Sequence, residues 1–397
     1  VPRAHALALE DTLPAQVAFL LRRHLGQEIE RHATRAETRS ERAWELLQQG
    51  KETALTIDTA LAAGDTARAA RTLARADSLF AASAAADGAW PAPVIERGWL
   101  SWQERHIAGF DKGPADRWTR AGLGFAGDAL RLRPGDPEAL HLRGTMRYAR
   151  WFLNLNPAPQ TPDQLLAAAE ADLRAGAAEA NPNRANALAL LSQLLAARSQ
   201  TVDAKLTAMQ AYEVDPYQSQ AEDVLTRLFL TSLDLEDVAE SNKWCQEGFR
   251  RFPDSPQFTE CQIQVYALKG QQPDVPALWR LLERNVAQYP PADREYRRRR
   301  GELFVAMALA NAGMKDSARA VALRARAGED IDPTRDLVYV EILFRSMAGD
   351  RDEAIRLLKL YLVTNPQAKA SIAADDTWWL RELHADPEFR RIVGLQK

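Results

Sequence analysis

Polar turn signals divide the chain at near-regular intervals into stretches rich in apolar residues. An Asp or Asn with a Pro one or two positions later recurs at Asp136, Asn181, Asp215, Asp254, Asp332 and Asn365. The intervals are 45, 34, 39, 78 and 33 residues, and Asp293 divides the longest into two of 39. A unit of about 34 to 40 residues fits two short helices and two turns. The pattern predicts successive helical hairpins in which Asp or Asn caps a helix and Pro occupies its first turn.

Small residues inside these units carry a family resemblance. The segment 336–366 has Gly349 between its two halves, Ala354 five residues later and Pro366 twelve residues after that. Two further segments share this spacing in large part, with Ala204, Ala211 and Pro216 in one and Gly313, Ala318, Ala325 and a displaced Pro333 in the other. All three resemble tetratricopeptide repeats, in which the alanines lie where two helices nearly touch.

Weaker units end at Pro134, Pro253 and Pro290. Gly122 and Ser241 occupy their helix-contact positions, whereas Leu278 departs from the family pattern. A further hairpin is indicated by Gly64-Asp65.

The resemblance implies an all-α fold, a right-handed superhelical solenoid of antiparallel helix pairs. We expect a lead-in helix at residues 1–40, a divergent helical-repeat region with longer loops at 41–180, tetratricopeptide-like repeats at 181–375 and capping helices at 376–397.

Both ends of the chain resemble parts of bacterial signalling proteins. The segment 21–51 is similar to the one that precedes the repeats where a serine/threonine kinase or DNA-binding module is followed by a TolB-like domain. Near the other end, Trp378-Trp379, Asp386-Pro387 and Phe389 match the terminal helices of those arrays. This resemblance implies a role in bacterial signalling.

Composition agrees with a helical repeat. The 397 residues are 46% hydrophobic, and Ala, Leu and Arg dominate while runs of Val, Ile and Thr are scarce. The formal net charge of −3 gives no global preference for nucleic acid or an anionic membrane. No apolar run approaches the roughly 20 residues of a membrane span, and no signal-peptide pattern is present. Because the sequence begins at Val1, we expect a mature form or an excised part, and the compartment stays open between cytoplasmic and extracytoplasmic.

Signatures of catalysis are missing from the sequence. It contains no phosphate-binding glycine loop, no GxSxG and no HExxH, so we expect no enzyme activity and no cofactor. His24, Glu28 and His32 share one helix face and form the one cluster with metal-ligand spacing. A solvated polar face is the favoured interpretation, and we predict no metal site.

Two cysteines flank the turn at residues 252–254. Cys245 and Cys261 are sixteen residues apart, so a helical hairpin would place them at similar heights. A disulfide is geometrically feasible and would indicate an oxidising compartment. Two buried free cysteines are the favoured interpretation.

Arginine and tryptophan are the remaining candidates for a special role. Arg297 to Arg300, preceded by Arg294, point in different directions around a helix, so we expect one or two to face a partner and the others to be solvated. An acidic or phosphorylated partner is the alternative that guanidinium geometry allows. The N-terminal aromatic residues are predicted to be core, namely Trp90, Trp99, Trp102, Trp118, Tyr148 and Trp151.

The leading hypothesis is a non-catalytic scaffold that binds a protein or peptide along the first helices of its units. Alignment on the family's Gly, Ala and Pro positions predicts a set of partner-binding residues, comprising Asn186, Gln193, Arg300, Leu303, Met307, Asn311, Tyr339, Leu343 and Met347. We expect neither nucleic-acid binding nor membrane insertion by this segment. The alternatives are a sensor segment of a membrane-anchored kinase or regulator, and an accessory protein that binds a small ligand.

Overall fold

A computed structural model describes residues 34–155, 160–268, 270–375 and 377–395, and these residues are helical with no β-strand among them. They fall into two compact units. Unit 1 comprises the described residues up to Leu194 together with Glu213–Ser219, and unit 2 comprises Leu195–Tyr212 and the residues from Gln220 onward.

Unit 1 contains seven helices and the greater part of an eighth within its described residues. They are α1 Glu41–Ala62, α2 Thr66–Ala86, α3 Ala92–Gln103, α4 Arg105–Ala108, α5 Lys112–Leu132, α6 Pro137–Phe152, α7 Pro162–Gly176 and α8 Arg184–Ala197, which crosses into unit 2 after Leu194. Its helices pack as consecutive pairs, α1 with α2, α3 with α5 and α6 with α7.

Unit 2 continues the same arrangement. Its helices are α9 Thr201–Val214, whose last two residues belong to unit 1, α10 Ala221–Asp234, α11 Val238–Arg251, α12 Pro256–Gln264, α13 Val275–Ala287, α14 Arg294–Asn311, α15 Lys315–Arg324, α16 Asp336–Ala348 and α17 Arg351–Thr364, and then α18 Lys369–Ala374, α19 Arg381–His384 and α20 Pro387–Val393. Helices α10 to α17 form four pairs, and the first helices of these pairs, α10, α12, α14 and α16, also contact one another in succession. We call this layer the first-helix row.

The predicted turns lie between helices. Asp136 caps α6 by accepting hydrogen bonds from the backbone amides of Glu138 and Ala139, with Pro137 in the first turn. The other predicted turn residues also lie in connections between helices, at Asn181, Asp215, Asp254, Asp293, Asp332 and Asn365. The helical-hairpin prediction is therefore confirmed.

Small residues occupy the predicted helix contacts. Gly313 and Gly349 adopt φ angles of 83° and 76°, left-handed values that favour glycine at the end of a helix. The alanines predicted at helix crossings are fully buried, at Ala204, Ala211, Ala318, Ala325 and Ala354. Leu278, which departs from the family pattern, is also buried.

The prediction for the tryptophans is largely confirmed. Trp90 and Trp118 are buried in two neighbouring core clusters of unit 1, while Trp99 and Trp102 pack against the second cluster. Trp151 is partly exposed and stacks on Tyr148 with ring centroids 5.7 Å apart.

The favoured interpretation of the cysteines is wrong. Cys245 on α11 and Cys261 on α12 form a disulfide, with their Cα atoms 5.8 Å apart. Gly248 on α11 lets the two helices approach this closely, because a Cβ at that position would collide with the Phe258 ring. The bridge ties the second helix of one pair to the first helix of the next.

Candidate partner-binding surface

The predicted partner-binding residues divide between the two units. Asn186 and Gln193 lie on α8 within unit 1 and are partly exposed, and Asn186 accepts a hydrogen bond from Ser219 Oγ at 3.1 Å. The other seven lie in unit 2, on α14 and α16. Their surroundings determine which of them can reach a ligand.

Two of the predicted residues on α14 are inaccessible. Leu303 and Met307 are 1% and 0% exposed, and every residue from Gly301 to Leu309 is buried. Helix α14 contacts α12, α13, α15 and α16, so it is covered on more than one side. The prediction that Leu303 and Met307 face a groove is therefore wrong, and both residues lie in the core.

Arg300 and Asn311 are occupied by internal contacts. Arg300 Nη1 donates to Glu260 Oε1, and its guanidinium lies over the Phe304 ring at 5.0 Å. Burial acts to lower the pKa of Arg300, but the Glu260 carboxylate outweighs it and the pKa is raised. Asn311 Nδ2 donates to the backbone carbonyls of Tyr266, at 3.3 Å, and Ala267, which fixes the turn after α12.

The three predicted residues on α16 retain exposed surface. Tyr339, Leu343 and Met347 are spaced four residues apart, so they share one helix face, and all three are partly exposed. The Tyr339 ring lies 5.1 Å from that of Tyr361 on α17.

The arginine run at the start of α14 is almost fully paired. Arg294 Nε donates to the Tyr289 carbonyl at 2.9 Å, Arg298 Nη2 to Glu283 at 2.9 Å and Arg299 Nε to Glu295 at 2.8 Å. These bonds neutralise the charges of Arg298 and Arg299, as Glu260 neutralises that of Arg300.

Arg297 is the exception in this run. Its guanidinium carbon lies 4.5 Å from the Tyr289 ring centroid and 5.5 Å from that of Tyr296. Its guanidinium makes no hydrogen bond or ion pair with any residue that the structure describes, and its Nε is buried without a partner. Arg297 thus keeps its full hydrogen-bonding capacity for a ligand.

Four half-buried tyrosines extend this site along unit 2: Tyr289, Tyr296, Tyr339 and Tyr361. Burial raises the pKa of each. None of the four hydroxyls bonds to a described side chain or backbone group. Burial is the largest cause of the raised pKa of Tyr296 and of Tyr361, and the charge of Asp336 is the next largest. Asp336 is therefore a neighbour of both tyrosines. We call Arg297 and these four tyrosines the tyrosine–arginine surface.

A C-terminal strap, defined as residues 377–384, lies beside this surface. Its helix α19 contacts α16, and Trp379 Nε1 donates to Asp234 Oδ1 at the end of α10 at 2.9 Å. Burial raises the pKa of Asp234 to about 6, with Asp375 adding to the effect. The charges of Asp375, which precedes the strap, and of Asp234, which accepts the bond from Trp379, also raise the pKa of Tyr339, so Tyr339 lies close to the contact between the strap and α10.

The described residues offer little else of chemical character. They contain no group of three or more His, Cys, Asp or Glu side chains arranged to hold a metal. The His24, Glu28 and His32 cluster lies outside the described residues. Over the same described ranges, no helix has both the length and the apolar character that a bilayer crossing requires.

The sequence contained a signal for the residues that the prediction missed. Tyr296 sits inside the arginine run and Tyr289 just precedes the Pro290-Pro291 turn, so aromatic and cationic residues alternate there. What the sequence could not supply is the pairing of each arginine, because the acceptors of Arg298 and Arg300 come from other helices.

Comparisons with known proteins were made at three levels. A scan of family models finds no match to this chain, and a search of curated proteins finds none either. Among solved structures, the human IFIT1 dimer with m7Gppp-AAAA is 14% identical, with a TM-score of 0.43 over 90% of this chain and 86% of that one. An IFIT1 monomeric mutant with Gppp-AAAA is also 14% identical, with a TM-score of 0.41 over 90% and 91%.

The P58(IPK) TPR domain is 14% identical over 87% of this chain and 96% of its own, with a TM-score of 0.20. At such TM-scores the likenesses carry no argument about a ligand. The helix pairs, with left-handed glycines at two turns and buried alanines at the crossings, are those of a tetratricopeptide-like helical repeat.

Proposed function

We propose that this chain is a non-catalytic scaffold that binds an extended peptide segment of a partner protein on unit 2. The observation that carries the proposal is the tyrosine–arginine surface, where two tyrosine rings with unbonded hydroxyls contact an arginine side chain that has no acceptor among the described residues. Tyr and Arg dominate the binding energy of protein interfaces because they combine large apolar area with directional donors. Leu343 and Met347 extend the contact along α16 with apolar area.

The compartment and the biological setting belong to the same proposal. The Cys245–Cys261 bridge supports an oxidising, extracytoplasmic compartment, since cytosolic thiols are generally kept reduced. A place in bacterial signalling is supported by the resemblance of the two chain ends alone. Protein rather than nucleic acid is the proposed partner, because Arg298, Arg299 and Arg300 are already paired and leave no extended basic track.

Selection of random displayed peptides on the immobilised full chain tests the proposal. Selected peptides should bind wild-type protein in solution, and Leu343→Ala should weaken them by about tenfold or more if it lies at the contact. Leu323→Ala is the matched control, because this leucine is 54% exposed on α15, the second helix of its pair. Equal losses in both variants would contradict the proposed site.

A single-stranded oligonucleotide, tested as competitor, addresses the alternative partner. Displacement of the selected peptides by the oligonucleotide at low salt but not at high salt would favour nucleic acid over a peptide as the partner.

A further inference from the structure

Arg297 has a side-chain donor without an acceptor, whereas the neighbouring arginines at the start of α14 have acceptors. Its buried Nε has no acceptor among the described residues, whereas Arg294, Arg298 and Arg300 all donate to specific oxygens. A buried donor without an acceptor costs free energy, which an incoming acceptor recovers.

The charge around Arg297 fits one negative charge. Glu260 neutralises Arg300 and Glu283 neutralises Arg298, while Arg294 donates to the backbone carbonyls of Tyr289 and Ala287, so in this run only the Arg297 guanidinium has no acceptor among the described residues. A phosphate monoester carries nearly two negative charges and three acceptor oxygens, more than this site can match. Asp332 and Asp336 near Tyr296 would repel the second charge.

The two flanking rings prepare Arg297 for planar recognition. Tyr289 and Tyr296 lie against its guanidinium, limit its conformations and exclude part of its water. A carboxylate can accept two parallel N–H donors from such a fork, and partial desolvation strengthens these bonds.

We infer that Arg297 binds the side-chain carboxylate of an Asp or Glu within the bound peptide, an inference that rests on the proposed function. The acid lies inside the segment rather than at its end, because the tyrosine–arginine surface extends beyond the rings that contact Arg297. Tyr289 and Tyr296 contact its guanidinium, and Tyr339 and Tyr361, which contact each other, provide further aromatic surface on unit 2. The partner class is therefore an acidic, extended peptide.

The test follows the arginine Nε–H signals of the full chain by NMR during titration with short peptides. The probe is the blocked tripeptide Ac-Ala-Glu-Ala-NH2, and the control probe is Ac-Ala-Gln-Ala-NH2. The Arg297 signal, assigned by its loss in Arg297→Lys, should shift with the Glu probe, and the Gln probe should bind at least about fivefold more weakly. Arg297→Gln should abolish the difference between the probes.

Arg298→Gln is the matched variant, because Arg298 is the next residue on α14 and is already paired with Glu283. It should leave the Glu-probe titration unchanged. Equal binding of the Glu and Gln probes, or an equal loss in Arg298→Gln, would overturn the inference. So would tighter binding of a phosphoserine tripeptide, or of Ac-Ala-Ala-Ala with a free terminal carboxylate.

The wild-type titration gives an answer even where a variant fails to fold. Binding of the selected peptides at Leu343 independently of Arg297 would overturn the inference and leave the proposed function intact. A failed peptide selection would contradict the proposed function itself, on which this inference rests.

Discussion

Arg150 in unit 1 and Arg297 in unit 2 are used in opposite ways. In unit 1, Arg150 is 4% exposed and donates to Asp116, Thr119 and the Leu155 carbonyl at 2.8, 2.9 and 2.8 Å. In unit 2, the Arg297 guanidinium contacts two tyrosine rings and donates to none of the residues that the structure describes. The first arrangement holds helices together, whereas the second leaves binding capacity unused.

Unit 2 is not loosely built in general. Arg345 bonds to Glu341 at 2.9 Å and to Asp350 at 2.9 Å, and all these groups lie at the α16–α17 pair. Glu341 also pairs with Arg326 at 2.7 Å. An unpaired arginine side chain beside the paired Arg298, Arg299 and Arg300 is a local feature of the surface. The difference from Arg150 indicates that pairing, rather than charge alone, marks a site.

The largest expected effect on stability is that of replacing Arg150, in contrast to Arg297. Arg150→Gln should lower the free energy of unfolding by about 3–5 kcal/mol, because Asp116 and the Leu155 carbonyl lose a buried donor. Arg297→Gln should cost less than about 1 kcal/mol, the size of a partly exposed cation–π contact. Urea unfolding followed by circular dichroism measures both, and equal costs would break the comparison between the units.

The disulfide should affect unit 2 by the next largest amount. Replacing Cys245 and Cys261 with Ala together should destabilise unit 2 by about 3 kcal/mol, because the bridge closes a loop of sixteen residues. Hydrogen exchange should show faster opening of α11 and α12 and unchanged protection in α1 to α7. Two titratable thiols in the denatured, unreduced wild-type protein would show that the bridge does not form.

Asp234 predicts a pH dependence. Its folded-state pKa of about 6 exceeds the usual value of about 4, so the folded protein holds this proton more tightly than the unfolded chain. Stability from this group therefore falls as pH rises from about 4 to 6 and is constant above that. Asp234→Asn should raise the free energy of unfolding at pH 7.5 by about 1–3 kcal/mol and flatten this slope.

Thermal melts at a series of pH values from 4 to 8 measure the effect of Asp234. A wild-type slope that persists in Asp234→Asn would assign the titration to another group.

The smallest expected effect separates two residues that the sequence treated alike. Asn311→Ala should destabilise unit 2 by about 1–2 kcal/mol, because two carbonyls of the turn after α12 lose their donor. Tyr339→Phe should change stability by less than about 0.5 kcal/mol, because its hydroxyl has no bond to lose. Melting temperatures of the two variants decide this, and a larger loss in Tyr339→Phe would reveal a structural role for the hydroxyl.

The fold was predictable from the sequence because turns and helix crossings constrain residue type locally. Asp136 with Pro137 marks a helix start, and Ala354 fits a crossing that a larger side chain would fill. The positions of Tyr339, Leu343 and Met347 on one exposed face also follow from helical spacing.

The burial of α14 required the structure. Leu303 and Met307 hold the positions that face a groove in a regular repeat, but neighbouring helices cover them here. The apolar run from Leu303 to Ala310 was the available sign that this helix has little exposed surface. Pairing of Arg300 with Glu260, forty residues earlier, has no sequence signal of its own.

The strap changes how unit 2 can come apart. In a linear stack each repeat contacts its neighbours alone, so terminal repeats can fray while the middle stays folded. Trp378 Nε1 donates to the Leu233 carbonyl at 2.9 Å, and Arg381 pairs with Glu236 at 2.6 Å, both across 145 residues of sequence. The helices that follow α17 can detach only if their contacts near the start of unit 2 break as well. Unfolding of the end of unit 2 is therefore coupled to unfolding near its start.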